Sequence, residues 1–155
     1  MPNSVVCLDA SFILRLLTST TPDAPAMRMW REWHKEERRL VAPALLYYEV
    51  TNALHRYMIH GELTPQEASE LLDKALALDI RIYGDPDLHR RALQMAQLFS
   101  LPAAYDAHYL ALTEQLGAEL WTADQRLIRA ADPRWPPVCL LAKEGAGEQK
   151  GGHGQ

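Results

Sequence analysis

Cysteine is scarce in this chain, and spacing of the metal-binding kind is missing. The 155 residues include two cysteines, Cys7 and Cys139, and neither belongs to a CxxC or similar arrangement. A disulfide framework and a zinc–thiolate centre are therefore excluded as organising principles. Each cysteine sits among apolar neighbours in a predicted strand, so both are expected to be buried free thiols. The six histidines form no HExxH pattern, which removes the commonest zinc hydrolase signature. No GxSxG elbow and no phosphate-cradling glycine loop occurs, so serine hydrolase and P-loop chemistry fall away. No apolar run approaches the length of a membrane span. The N-terminal apolar segment is broken by Asp9 and Arg15 and makes a poor secretory signal, so a cytoplasmic protein of bacterial type is expected. An excess of positive charge is lacking too. The net charge of −4 argues against a protein that coats nucleic acid nonspecifically, but it is compatible with a nucleic-acid enzyme.

What is present is an ordinary globular composition, with 48% hydrophobic and 23% charged residues. That is enough for one domain with a real core. Five short apolar runs, at 4–8, 39–42, 79–83, 118–122 and 137–141, read as strands. They show little alternation, as expected of parallel strands covered on both faces. Helical patterns lie between them at 11–17, 24–37, 43–61, 64–77, 86–99, 103–116 and 125–131. Thr64-Pro65-Gln66-Glu67 resembles a capping box, and Gly117 stops the sixth helix. Alternating strands and helices imply an α/β three-layer sandwich, a central parallel five-stranded sheet flanked by helices. The Gly-rich segment 143–155 is read as a disordered tail, leaving 1–142 as the domain. No internal repeat is visible.

Four carboxylates stand in apolar surroundings: Asp9, Glu49, Asp106 and Asp124. Asp9 and Asp124 end strand-like runs where helices begin, so helix capping is an equal reading for each alone. Asp106 opens a helix, where the dipole favours an acid. Glu49 lies well inside a helix beside Leu45, Leu46 and Ala53, where capping does not apply. Together the four point to the carboxyl edge of a parallel sheet, where ligands of open α/β folds bind. Hard oxygen donors of this kind suit Mg²⁺ or Mn²⁺. Ser11, Asn52 and Thr122 lie close enough in sequence to orient these acids or a bound water, with local capping the equal alternative for the hydroxyls.

Four segments together resemble the PIN-domain ribonucleases, especially the VapC-type toxins of toxin–antitoxin pairs. They are Leu8-Asp9-Ala10-Ser11, Glu49-Val50-Thr51-Asn52-Ala53-Leu54, Tyr105-Asp106-Ala107-His108-Tyr109-Leu110-Ala111-Leu112 and Trp121-Thr122-Ala123-Asp124. The resemblance covers about 1–141. It implies a PIN-like fold and a Mg²⁺- or Mn²⁺-dependent endoribonuclease that cleaves single-stranded RNA with activated water. Asp9, Glu49, Asp106 and Asp124 would be its catalytic and metal-binding acids. It also implies a cognate antitoxin and a homodimer. The chain departs from the pattern at Gln125-Arg126-Leu127, where many relatives carry a further acid. This speaks against a second tightly held metal, not against the first. At least half of Trp30, Trp33, Tyr47, Tyr48 and Tyr57 are read as core, but an exposed Trp30 or Trp33 would support a partner surface. Two other functions fit the same residues: a PIN-fold nuclease in RNA or DNA processing, and a catalytically silent binding module.

Overall fold

A computed structural model describes residues 4–131 and 136–143. The predicted tail beyond Lys143 lies outside the described residues.

Five parallel strands form one sheet in the order β3-β2-β1-β4-β5: β1 Val6–Leu8, β2 Leu40–Pro43, β3 Arg81–Tyr83, β4 Glu119–Thr122 and β5 Val138–Leu140. The chain moves outward from β1 to β2 and β3, then returns to the other side of β1 for β4 and β5. The direction of winding therefore reverses between β1 and β4. Their register pairs Val6 with Glu119, Cys7 with Leu120 and Leu8 with Trp121.

Alternation along β1 and β2 sorts the core onto two faces. Val6, Leu8, Leu40 and Ala42 pack with α1 Ala10–Leu17, α2 Pro25–Lys35, α3 Leu45–Ile59 and α4 Pro65–Leu76. Cys7 and Val41 face the opposite layer, α5 Pro86–Leu98, α6 Tyr105–Gln115 and α7 Gln125–Ala130. Trp33 is buried in the first layer against Phe12 and Trp121, with ring centroids 5.2 and 5.5 Å away.

The helix ends follow local chemistry. Thr64 and Glu67 form the expected capping box at the start of α4. Gly61 and Gly117, at φ +74 and +59, take the left-handed turns that end α3 and α6. Two expectations need correction. Covering on both faces holds for the central strands but not for β3 and β5, which occupy the sheet's edges and keep exposed or half-exposed residues. For the same reason Cys139 on β5 is half-buried, not enclosed like Cys7, although both thiols are free. Burial pushes the Cys7 thiol up to about 12, which leaves it an inert core group.

Candidate active site

Asp9 follows β1 directly, and Asp124 stands two residues beyond β4. Both acids therefore leave the sheet at its carboxyl edge, on the two strands between which the winding reverses. Glu49 reaches this edge from the second turn of α3, and Asp106 from the first turn of α6.

Asp9 is buried and held on both oxygens. Its Oδ1 accepts from the Ser11 hydroxyl at 2.7 Å and the Phe12 backbone N–H at 2.9 Å, and its Oδ2 accepts from the Thr122 hydroxyl. Ser11 and Thr122 are 3.1 Å apart. Both also fix the other strand's exit, since the Ala123 N–H donates to Ser11 and the Asp124 N–H to Thr122, each at 2.9 Å. The same aspartate thus caps α1 and faces the sheet edge, so the two readings of its role coexist. A carboxylate offers about four lone-pair positions. Three are occupied here, which leaves one direction on Oδ2 for a further ligand.

Glu49 takes a 2.6 Å hydrogen bond on Oε1 from the buried hydroxyl of Tyr109. Burial, then the Glu49 charge, hold that phenol well above its ordinary range, so it stays a donor. Nothing in the sequence pointed to this contact. Tyr109 lies one helical turn after Asp106, which places it on the same side of α6, but its partner is 60 residues away. Asn52, by contrast, is exposed on α3. Asp124 caps α7 by accepting from the Arg126 N–H at 2.9 Å, and its carboxylate is gripped by the Arg126 guanidinium at 3.3 and 3.2 Å.

The four acids sense one another. Burial raises Asp9 to about 6 against the hydrogen bonds that lower it, and the Glu49 charge adds to the rise. Glu49 is raised by burial and by Asp106, and Asp106 by burial and by Asp124. Repulsion therefore links the acids in the order Asp9, Glu49, Asp106, Asp124 across one patch. Among the described residues no Lys, Arg or His forms an ion pair with Asp9, Glu49 or Asp106; Arg126 pairs with Asp124, and its charge partly offsets the rise at Asp106. In this arrangement no three His, Cys, Asp or Glu side chains among the described residues converge into a closed metal-binding set. The donor chemistry nonetheless fits a hard divalent cation that keeps several of its waters. Among the described residues, one direction on Asp9, Oε2 of Glu49 and both oxygens of Asp106 carry no protein hydrogen bond.

Residues 6–133 match the PIN domain family. The chain belongs to that family. PIN-domain relatives include Ribonuclease VapC3 of Mycobacterium tuberculosis, 30% identical over 140 residues, which span 90% of this chain and 94% of the relative. Among solved structures, PAE2754 of Pyrobaculum aerophilum superposes with a TM-score of 0.64 at 26% identity, covering 88% of this chain and 83% of that one. VapBC2 of Rickettsia felis, bound to a promoter DNA fragment, superposes at 0.67 with 9% identity, covering 89% and 99%, a likeness of fold. The expected PIN-like sandwich is the one observed.

Proposed function

We propose that this PIN-domain chain is a Mg²⁺- or Mn²⁺-dependent endoribonuclease acting on single-stranded RNA in the cytoplasm, and the toxin of a toxin–antitoxin pair. One observation carries the reading: four carboxylates line the carboxyl edge of the sheet about its switch point and repel one another in turn, and among the described residues Asp9, Glu49 and Asp106 form no ion pair. Such a patch is costly unless a cation joins it. The name of the M. tuberculosis relative supports a ribonuclease, and a toxin–antitoxin complex from Klebsiella pneumoniae that shares the fold supports an antitoxin partner.

Asp9, Asp106 and Asp124 would hold the ion directly or through water, with Glu49 completing the set. A bound divalent cation lowers the pKa of a coordinated water and offsets charge gathering on the scissile phosphate. Asp9, locked by Ser11 and Thr122, fixes one ligand direction. Glu49, steadied by Tyr109, would accept a proton from the attacking water at Oε2. Arg126 on Asp124 is exposed and would turn to a phosphate oxygen of the strand. For the partner surface, Trp33 offers nothing because it is core, while Trp30 is half-exposed and stacks on His34, centroids 4.8 Å apart.

The test is purified protein on total RNA with and without Mn²⁺, with cleaved ends mapped. Asp9→Asn and Asp106→Asn should each lower cleavage by about 100-fold or more while circular dichroism stays native. Full activity in both variants removes these acids from the chemistry. A calorimetric titration without Mn²⁺ or Mg²⁺ binding would favour the silent binding module instead.

A further inference from the structure

A cavity of about 430 Å³ opens beside the acids at the same sheet edge, over the ends of β2 and β3. Its volume falls within the ~300–1,000 Å³ usual for small-ligand sites. Its walls include Tyr48, Tyr83, Tyr105, His89 and His108, with Leu45 among the apolar residues. Tyr48 and Tyr105 are 75% and 65% exposed, a costly way to display two large aromatic rings unless something covers them.

Their placement follows from helix geometry. Tyr48 directly precedes Glu49 on α3, and Tyr105 directly precedes Asp106 on α6. Successive helical residues diverge by about 100°. The acid of each pair joins the carboxylate patch, and the tyrosine of each turns into the cavity. Two helices from opposite layers thus repeat one device, a ring beside an acid.

The histidines add a polar edge. His108 Nδ1 lies 2.8 Å from the Ala104 carbonyl, which can only accept, so this nitrogen carries the proton. In a neutral ring, Nε2 is then an acceptor, and the His89 Nδ1 that lies 2.9 Å away donates to it. The relay leaves His89 Nε2 as an acceptor without a protein partner among the described residues. Tyr83 is held from the strand side, where the Arg81 guanidinium sits 5.5 Å from its ring centroid.

We infer that this cavity is a nucleobase subsite: it receives a base of the RNA strand whose adjoining phosphate lies at the acids, stacking it against Tyr48 and Tyr105 beside the acceptor edge of His89. The inference rests on the nuclease reading above. Aromatic platforms beside a backbone site are how proteins hold single strands. A duplex, with its bases paired and stacked, would leave the cavity empty.

The test uses the Asp9→Asn chain, which holds RNA without cutting it, and a fluorescein-labelled single-stranded RNA 12-mer read by anisotropy. Added Tyr48→Ala or Tyr105→Ala should weaken binding roughly 5- to 100-fold, as expected for one lost stacking contact. Tyr48→Phe and Tyr105→Phe keep the ring and should stay within about twofold of the parent, as should Leu93→Ala on the exposed surface of α5. An oligonucleotide with abasic positions should bind the parent weakly and lose little more in the alanine variants. Unchanged affinity in both alanine variants overturns the subsite while cleavage of RNA by the native chain leaves the nuclease reading standing. No RNA binding together with no cleavage removes both. If sedimentation shows that Tyr48→Ala or Tyr105→Ala splits a dimer, the cavity is a contact between copies and the inference falls.

Discussion

Asp9 shows how one side chain can serve architecture and chemistry at mutual expense. Folding carries its carboxyl from the ordinary 3.8 to about 6, chiefly through burial. Between those values the folded chain binds more protons than the unfolded one, so this group's contribution to stability falls as pH rises through the window. The loss amounts to about 3 kcal/mol across it, at ~1.4 kcal/mol per pKa unit. Thermal unfolding with EDTA should therefore give a higher Tm near pH 5 than near pH 7. Asp9→Asn, uncharged throughout, should raise the neutral-pH Tm and flatten the trend; an unaltered trend in the variant would assign it to other groups. Tyr109 offers a second residue-scale test. Tyr109→Phe keeps the ring and removes the hydroxyl that pins Glu49, so the fold should survive. Mn²⁺ affinity measured by calorimetry should drop about 10- to 100-fold, as for other partners that orient ligands, and equal affinity would show that Glu49 needs no steadying. The four acids were legible because a charge in an apolar run demands an explanation. Tyr109 was not, because its role depends on a contact between helices that no local spacing encodes.

Among elements, the join between β1 and β4 matters most. Thr122, fully buried, donates to Asp9 and accepts from the Asp124 N–H. Thr122→Val conserves shape but leaves a carboxylate oxygen and a backbone N–H without this partner. Urea unfolding should show a loss of about 2 kcal/mol or more, and a change below about 0.5 kcal/mol would mean the join is held elsewhere. The order of strands and helices was readable because parallel strands are short apolar runs and the caps announce themselves, as Thr64 and Glu67 do for α4. The ends were less so. The second helix was expected to run to 37, but Glu37 takes φ 53, outside helical geometry, and α2 stops at Lys35. Alternation could not separate central from edge strands either, because Arg81-Ile82-Tyr83 gives no sign of whether helices cover it.

For the molecule as a whole, a cation bound only by the folded chain adds stability by mass action. At a hundredfold excess over its dissociation constant, Mn²⁺ should contribute about 2.7 kcal/mol. For a chain of this size, that is a rise in Tm of about 5–10 °C. Differential scanning fluorimetry should show this for the native sequence and little of it for Asp106→Asn; no rise in either would count against the metal reading. The layered architecture was legible from alternation alone, whereas the placing of four distant acids along one sheet edge required the strand order, with β1 between β2 and β4. That order also leaves β3 and β5 at the margins, each three residues long. A border so brief gives a neighbouring chain few backbone groups to pair with, and Arg81 places a charge on one of them. Even at high concentration, then, the sheet is poorly suited to seed the ribbon-like stacking that ends in fibrils.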